Sequence, residues 1–184
     1  MHGAPKFGKV GTHLEKSIPI QGSIKVSGKA YTVVKSLGEG AYGRAYAARI
    51  TATPRRKLVV VKTFSTKNDA TVTAYKNEVT VLKKFGNLIS HDDAAMVIVQ
   101  KKIRGITLLE KLRTVKSPKE VEKLLAQYMK TLEEFQRKSG LAHGDFHPGN
   151  IMYYKGKMTP IDFGLAKPAD AFTSILFNGK GNGP

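Results

Sequence analysis

Two short polar segments, 143–150 and 161–164, constrain this chain more than any other feature. The first reads HGDFHPGN and contains Asp145 and Asn150, and the second reads IDFG and contains Asp162. The residues between them are typical of two short strands, and a strand pair would return the second segment to the first. Carboxylate and amide oxygens are ligands that Mg²⁺ accepts, and a free carboxylate can take a proton from a hydroxyl. The spacing therefore predicts one site that combines a general base with a divalent cation.

A glycine-rich stretch lies in the N-terminal half of the chain, between predicted strands at 31–37 and 44–50. Glycine lets backbone N–H groups approach phosphate closely. A dinucleotide-binding stretch would need a helix next and an acid about 20 residues further on. Here a strand follows, and that position is Thr63, so the stretch is predicted to be a flap over nucleotide phosphates. Its residues are Gly38, Glu39, Gly40, Ala41, Tyr42 and Gly43.

Lys62 lies in an apolar predicted strand, 58–64. Taken alone, such a lysine is most simply an edge-strand residue that points to water. Over 69–85 the apolar residues are spaced as in a helix, and Glu78 is the only acid in that helix after its first turn. Glu78 shares the predicted inward face with Tyr75, so the sequence predicts that it pairs with Lys62.

These elements, in this order, resemble the protein-kinase fold over residues 31–164. The resemblance implies an α+β, two-lobe fold, in which a β-rich N-lobe has one helix and the helical C-lobe is strongly truncated. It also implies ATP and Mg²⁺ as cofactors, with Asp145 as the catalytic base and Asn150 and Asp162 as the magnesium ligands.

The resemblance implies further roles in ATP binding. Lys62 would contact the α- and β-phosphates, held by Glu78, and the glycine stretch would cover the phosphates. Val99 would be the gatekeeper at the back of the nucleotide site. The hinge residues that would meet adenine are Gln100, Lys101 and Lys102.

Three positions in the first polar segment call for comment. Gly144 stands where an Arg usually precedes the catalytic Asp, so no cation is expected there for an activation-loop phosphate. His147 stands where Ser/Thr kinases usually carry Lys, and it either donates a hydrogen bond to a γ-phosphate or braces the loop. His143 is expected to be a packing residue.

The chain is expected to contain one kinase domain with three regions. These are a flexible leader at 1–28 with a short strand within 18–26, an N-lobe at 29–102, and a minimal C-lobe at 103–184. A long helix is predicted at 117–138, because Ser117-Pro118 is a strong helix start and Gly140 a stop. A short helix is predicted at 169–177, followed by a frayed tail.

Bulk composition limits the remaining function classes. The sequence has no Cys, which excludes disulfides, a Cys-ligated zinc site and a thiol nucleophile. No apolar run approaches the roughly 20 residues of a membrane span. The net charge of +17 favours an anionic partner. Because the cations are scattered and no nucleic-acid-binding signature is present, we expect an acidic protein substrate, no membrane or nucleic-acid partner, and a monomer.

The motif HGDxHPGN is similar to that of aminoglycoside and choline phosphotransferases, but those carry a large helical substrate domain. Small basic kinases of the Bud and RIO types, which act in RNA-related complexes, share brevity, yet the Bud type ends in a basic tail that this sequence lacks. The chain most resembles the HopBF family of minimal Ser/Thr kinases. That resemblance implies type III secretion into the host cytoplasm without a cleavable signal peptide, and phosphorylation that inactivates the ninety-kilodalton heat-shock chaperone. A nucleotide-binding pseudokinase remains an alternative.

Overall fold

The computed structural model describes residues 22–53, 57–65 and 68–169. The first half of these residues forms a β-rich lobe with one helix. Its elements are β1 (Ser23–Val26), β2 (Lys29–Gly40), β3 (Gly43–Ile50), β4 (Val59–Phe64), α1 (Asp69–Lys84), β5 (Leu88–Asp92) and β6 (Val97–Lys101). The strands form one antiparallel sheet in the order β1-β2-β3-β4-β6-β5.

Each face of this sheet is covered by an apolar cluster. Alternation along β6 sends Ile98 to the face that packs on α1, whereas Val97 and Val99 lie on the opposite face. The opposite face is enclosed because the sheet curls until β1 contacts β5 and β6. The Ser27 hydroxyl donates to the His91 carbonyl at 2.8 Å and ties the two edges of the sheet together.

The second half of the described residues forms a smaller, helical lobe. Its elements are β7 (Ile106–Thr107), α2 (Leu108–Thr114), α3 (Pro118–Ser139), β8 (Leu141–Ala142), a 3-10 turn (Pro148–Asn150), β9 (Ile151–Tyr154), β10 (Lys157–Pro160) and β11 (Lys167–Pro168). Strands β10, β9 and β7 form a small sheet, and β11 pairs with β8. Gly140, with a left-handed φ of 70°, ends α3.

The predicted α+β fold with a β-rich N-lobe and a small helical part is confirmed. The helices predicted at 69–85 and 117–138 are α1 and α3. The short strand predicted within 18–26 is β1, so 23–26 belong to the sheet rather than to a flexible leader. Residues 1–21 of that leader, and the helix and tail predicted after 169, lie outside the described residues.

β5 and α2 are the longest of the elements that were not predicted from the sequence. β5 reads LISHD, and its last three residues are polar, which conceals the strand pattern. α2 has only seven residues, too short for a clear period; it begins with a capping box in which Thr107 and Glu110 satisfy each other's backbone N–H. Within the described residues, no helix is both long enough and apolar enough to span a membrane.

Candidate active site

A cleft of about 810 Å³ lies between the sheet of the N-lobe and the loops of the C-lobe. The structure brings fourteen of the site residues predicted from the sequence to the lining of this cleft, and Val99 is not among them. These residues are Gly38, Glu39, Gly40, Ala41, Tyr42, Gly43, Lys62, Glu78, Gln100, Lys101, Lys102, Asp145, Asn150 and Asp162. They come from both lobes and from segments far apart in the sequence.

Lys62 forms ion pairs with two carboxylates in the cleft. Its Nζ lies 2.8 Å from Glu78 Oε2 and 2.7 Å from Asp162 Oδ1. The Glu78 side chain is 0% exposed, the Lys62 side chain 13% and the Asp162 side chain 50%. One cation from β4 thus joins a fully buried carboxylate of α1 to a half-exposed carboxylate of the 161–164 segment.

Burial and charge compete in setting the pKa values of this group. Burial lowers the pKa of Lys62, but the carboxylates of Glu78 and Asp162 outweigh it and raise the pKa above its ordinary value. Burial raises the pKa of Glu78 against the opposing effect of the Lys62 ammonium. For Asp162, burial would raise the pKa, yet the nearby Lys62 charge holds it below its usual value. Lys62 and Asp162 are therefore both charged at neutral pH.

The backbone around Asp162 is held by contacts that sequence reasoning missed. Asp162 has a left-handed φ of 63°, which is uncommon for a residue other than glycine and typical of functional sites. The next residue, Phe163, is buried and stacks on Phe135, with ring centroids 5.6 Å apart. The Asn77 side-chain amide donates to the Gly164 carbonyl at 3.1 Å. These contacts fix the segment against α1 and α3.

Asp145 and Asn150 face each other across the loop that precedes β9. Asn150 Nδ2 donates to Asp145 Oδ2 and to the Asp145 carbonyl, both at 3.0 Å. Because the amide nitrogen is turned to Asp145, the carbonyl oxygen Oδ1 of Asn150 is directed elsewhere. Asp145 has a half-exposed side chain (46%), so a hydroxyl in the cleft can reach it.

His143 is a packing residue within this loop, as the sequence predicts. It is buried, and its ring packs against Phe135 and Phe163 with centroids 5.3 Å away in each case. Burial lowers its pKa, so the ring is neutral at pH 7. Its Nε2 lies 3.1 Å from the Ile161 carbonyl and links the two polar segments.

The glycines of the flap differ in what they do. A Cβ on Gly38 or Gly40 would meet nothing within 4 Å, so both positions border open space. A Cβ on Gly43 would lie 1.9 Å from the Thr63 carbonyl oxygen, so only glycine permits this close approach of β3 to β4. Glu39 is largely exposed and pairs with Arg44 at 3.1 Å, which closes the tip of the hairpin.

The gatekeeper prediction at Val99 is wrong. Val99 is fully buried in the cluster on the sheet face away from α1, because alternate residues of β6 point to opposite faces. Gln100 lies one residue further, on the cleft side, beside its strand partner Val60. Strand pairing ends at Lys101, so the backbone beyond it lines the cleft without belonging to the ladder.

The donor set fits a nucleotide with a magnesium ion. The open space beside Gly38 and Gly40 leaves room for phosphates, and Lys62 supplies a cation. Among the described residues no three acidic or histidine side chains form a cluster that would hold a metal alone. Mg²⁺ does not require one, because it usually binds through one or two protein carboxylates together with substrate phosphates. Here Asp162 can supply the carboxylate, and the Oδ1 atom of Asn150 can supply a second protein oxygen.

The sequence of the chain is similar to those of known protein kinases. A model of the protein kinase domain matches residues 31–176. Serine/threonine-protein kinase D of Synechocystis sp. is 31% identical over 155 residues, which covers 74% of this chain and 30% of that protein. Serine/threonine-protein kinase F of the same organism is 32% identical over 171 residues, covering 77% of this chain and 34% of that protein.

A more distant relative is a probable serine/threonine-protein kinase of Clostridium perfringens, which is 28% identical over 159 residues. That match covers 81% of this chain and 23% of the relative. The chain thus spans about a third or less of the length of these curated relatives.

Proposed function

Because the chain belongs to the protein kinase domain family, we propose that it transfers the γ-phosphoryl group of ATP to a serine or threonine hydroxyl of a protein. One observation carries the proposal. Lys62 is paired with both Glu78 and Asp162 in the same cleft that Asp145 and Asn150 line. That set of groups can hold a nucleotide triphosphate on one side and a hydroxyl on the other.

The chemistry follows from the positions of these groups. The hydroxyl oxygen forms a bond to the γ-phosphorus as the bond to the β,γ-bridging oxygen breaks, and ADP leaves. The hydroxyl proton goes to the Asp145 carboxylate, which faces the cleft. Lys62 holds phosphate oxygens, and Glu78 keeps the lysine in place. When bound at Asp162 and Asn150, Mg²⁺ supplies positive charge that stabilises the phosphate oxygens.

Incubation of the purified protein with γ-labelled ATP, Mg²⁺ and a cell lysate tests this proposal. We expect labelled serine or threonine in one or more proteins, and no label with the Asp145→Ala variant. Label that persists at the wild-type level in that variant would contradict the assignment of Asp145. Nucleotide binding without any transfer would favour the pseudokinase alternative.

We propose that the substrate is an acidic host protein, the ninety-kilodalton heat-shock chaperone. We propose that the kinase reaches it in the host cytoplasm after type III secretion. The support is the resemblance to the HopBF family together with the net charge of +17. A cationic surface speeds encounter with an acidic protein, and salt weakens that effect because the Debye length is about 8 Å at 0.15 M. We also propose that the chain acts as a monomer.

Phosphorylation of the intact chaperone, compared with short peptides that span its labelled site, tests the substrate proposal. We expect the intact chaperone to be labelled faster, the rate to fall as salt rises, and the modified chaperone to lose ATPase activity. Equal labelling of peptides without a salt effect would contradict recognition of a folded surface. No labelling of the chaperone would reject this substrate and leave the kinase proposal standing.

A further inference from the structure

His147 lies in the catalytic loop, and none of the catalytic steps proposed for Asp145, Asn150, Asp162 and Lys62 uses it. Its side chain is 53% exposed, so it is not a core residue. The sequence leaves open whether it donates to a phosphate or braces the loop. The contacts of its ring decide which nitrogen is available and where that nitrogen points.

The Nδ1 atom of His147 accepts a hydrogen bond within the loop. The backbone N–H of Gly149 donates to it at 3.1 Å, so Nδ1 is an acceptor and carries no proton. The proton of the neutral ring is therefore on Nε2. An imidazolium would lose the bond from Gly149, because both of its nitrogens are donors.

The absence of a side chain at Gly149 sets the position of the ring. A Cβ on Gly149 would lie 2.7 Å from His147 Cε1 and 3.0 Å from Nδ1. The ring thus rests directly on the Gly149 backbone, and this contact fixes its orientation as well as its tautomer. Gly149 was not singled out from the sequence, because its role depends on that ring.

The free end of the ring faces the proposed base. Nε2 lies 3.7 Å from Asp145 Oδ2, which is beyond hydrogen-bond distance but leaves no room for an intervening group. The same Oδ2 accepts from Asn150 Nδ2 at 3.0 Å. Hydrogen bonds in catalytic sites are often long without substrate and shorten in the reactive complex. Two N–H donors therefore converge on one carboxylate oxygen.

We infer that His147 is a positioning residue for Asp145. Its Nε2–H and the Asn150 amide together hold Oδ2, so that Oδ1 is the atom that accepts the proton of the substrate hydroxyl. This inference rests on the proposed function and adds to it the atom that acts as base.

Two substitutions of His147 distinguish its role as a hydrogen-bond donor to Asp145 from its role as an acceptor that braces the loop at Gly149. In His147→Asn, the shorter side-chain amide can accept from the Gly149 N–H as Nδ1 does, but it has no donor that reaches Asp145. In His147→Gln, the side-chain amide nitrogen reaches the place of Nε2 and keeps the donor. Measured with one protein substrate, we expect His147→Asn to lower kcat about 10-fold or more, and His147→Gln to stay within about 3-fold of wild type.

The KM for ATP distinguishes this inference from a contact between His147 and the nucleotide. We expect both variants to keep the wild-type KM for ATP. A raised KM in His147→Asn with an unchanged kcat would overturn the inference and assign His147 to ATP binding. Equal kcat losses in the two variants, or a larger loss in His147→Gln, would overturn it in favour of a brace.

Gly149→Ala gives a second test through the ring itself. The added Cβ must displace the ring, so kcat should fall in the wild-type background and fall no further in His147→Asn. Additive losses would show that the two residues act separately and overturn the inference. Thermal unfolding of each variant verifies that the fold is retained.

A readout independent of turnover is the tautomer of His147. Nitrogen-15 shifts of the imidazole ring should show a protonated Nε2 and a bare Nδ1 at neutral pH. The opposite tautomer would overturn the inference. If the wild-type protein transfers no phosphate in a manner dependent on Asp145, the proposed function fails and the inference fails with it. If wild type is active but the His147 variants match it, only the inference fails.

Discussion

Gly144 packs so closely under the carbonyl of Leu165 that no side chain fits between them. A Cβ at position 144 would lie 2.0 Å from the Leu165 oxygen, and Gly144 has a left-handed φ of 80°. The Arg that usually stands at this place in protein kinases therefore cannot be accommodated without moving the backbone after the 161–164 segment. The absence of the Arg is part of the local packing.

Gly144→Ala should destabilise the protein and lower activity, and Gly156→Ala is its matched control. Gly156 has a φ of 79°, yet a Cβ there would meet nothing within 4 Å. We expect Gly156→Ala to cost about 1 kcal/mol, the conformational penalty alone, and Gly144→Ala clearly more. Denaturant unfolding of both variants measures the difference. Equal losses would show that the contact with Leu165 is unimportant.

Activity should not depend on phosphorylation of the protein itself. Gly144 supplies no cation to bind a phosphorylated loop, and the Lys62–Glu78 pair is already formed in this structure. Protein that is treated with phosphatase, with the phosphatase then removed, should transfer phosphate at the untreated rate. A large loss of activity, restored by incubation with ATP, would contradict this expectation.

Asp145→Ala and Asp162→Ala should both abolish transfer, by at least about 100-fold, while they affect nucleotide binding differently. Asp162 lies on the phosphate side beside Lys62, so its loss should also weaken binding of ATP with Mg²⁺. Asp145 lies on the hydroxyl side, and its loss should leave that binding unchanged. Calorimetric titration with a non-hydrolysable ATP analogue measures nucleotide binding by the two variants. Asp69→Ala is the control, because Asp69 is an exposed carboxylate outside the cleft lining.

Lys62→Met should destabilise the fold by about 3 kcal/mol, because it leaves the buried Glu78 carboxylate without its cation. The double variant Lys62→Met, Glu78→Gln should recover part of this loss, since no buried charge remains. Urea unfolding at neutral pH measures both free energies. A Lys62→Met variant as stable as wild type would show that the pair contributes nothing to stability.

The Lys62–Glu78 pair also predicts how the stability difference between wild type and Lys62→Met depends on pH. The pKa of Lys62 is raised in the folded protein, so its contribution is fully present below the ordinary value of 10.5. It is lost as pH rises through the higher folded pKa. As far as the titration of Lys62 is concerned, the stability gap between wild type and Lys62→Met should therefore narrow only in strongly alkaline solution. A gap that narrows between pH 7 and 9 would contradict the raised pKa.

Most of the site could be predicted because its members lie in local patterns. Lys62 follows a run of valines, and Glu78 is a single acid on the inward face of a helix, so each stands out within a few residues. The prediction for Val99 is wrong because distance along the chain does not determine which face of a strand a residue occupies, and one residue along a strand reverses the face. β5 and α2 were missed because the first carries polar residues and the second is short.

The sequence by itself determined which chemical groups this protein carries and in what order, and that was enough to predict the fold class and the cleft. Only the tertiary structure decided how some of those groups are oriented. The tautomer of His147 depends on a backbone N–H, and the need for glycine at 144 depends on the carbonyl of Leu165. Such properties arise from contacts between atoms that folding brings together, and no pattern of residue types along the chain specifies those distances.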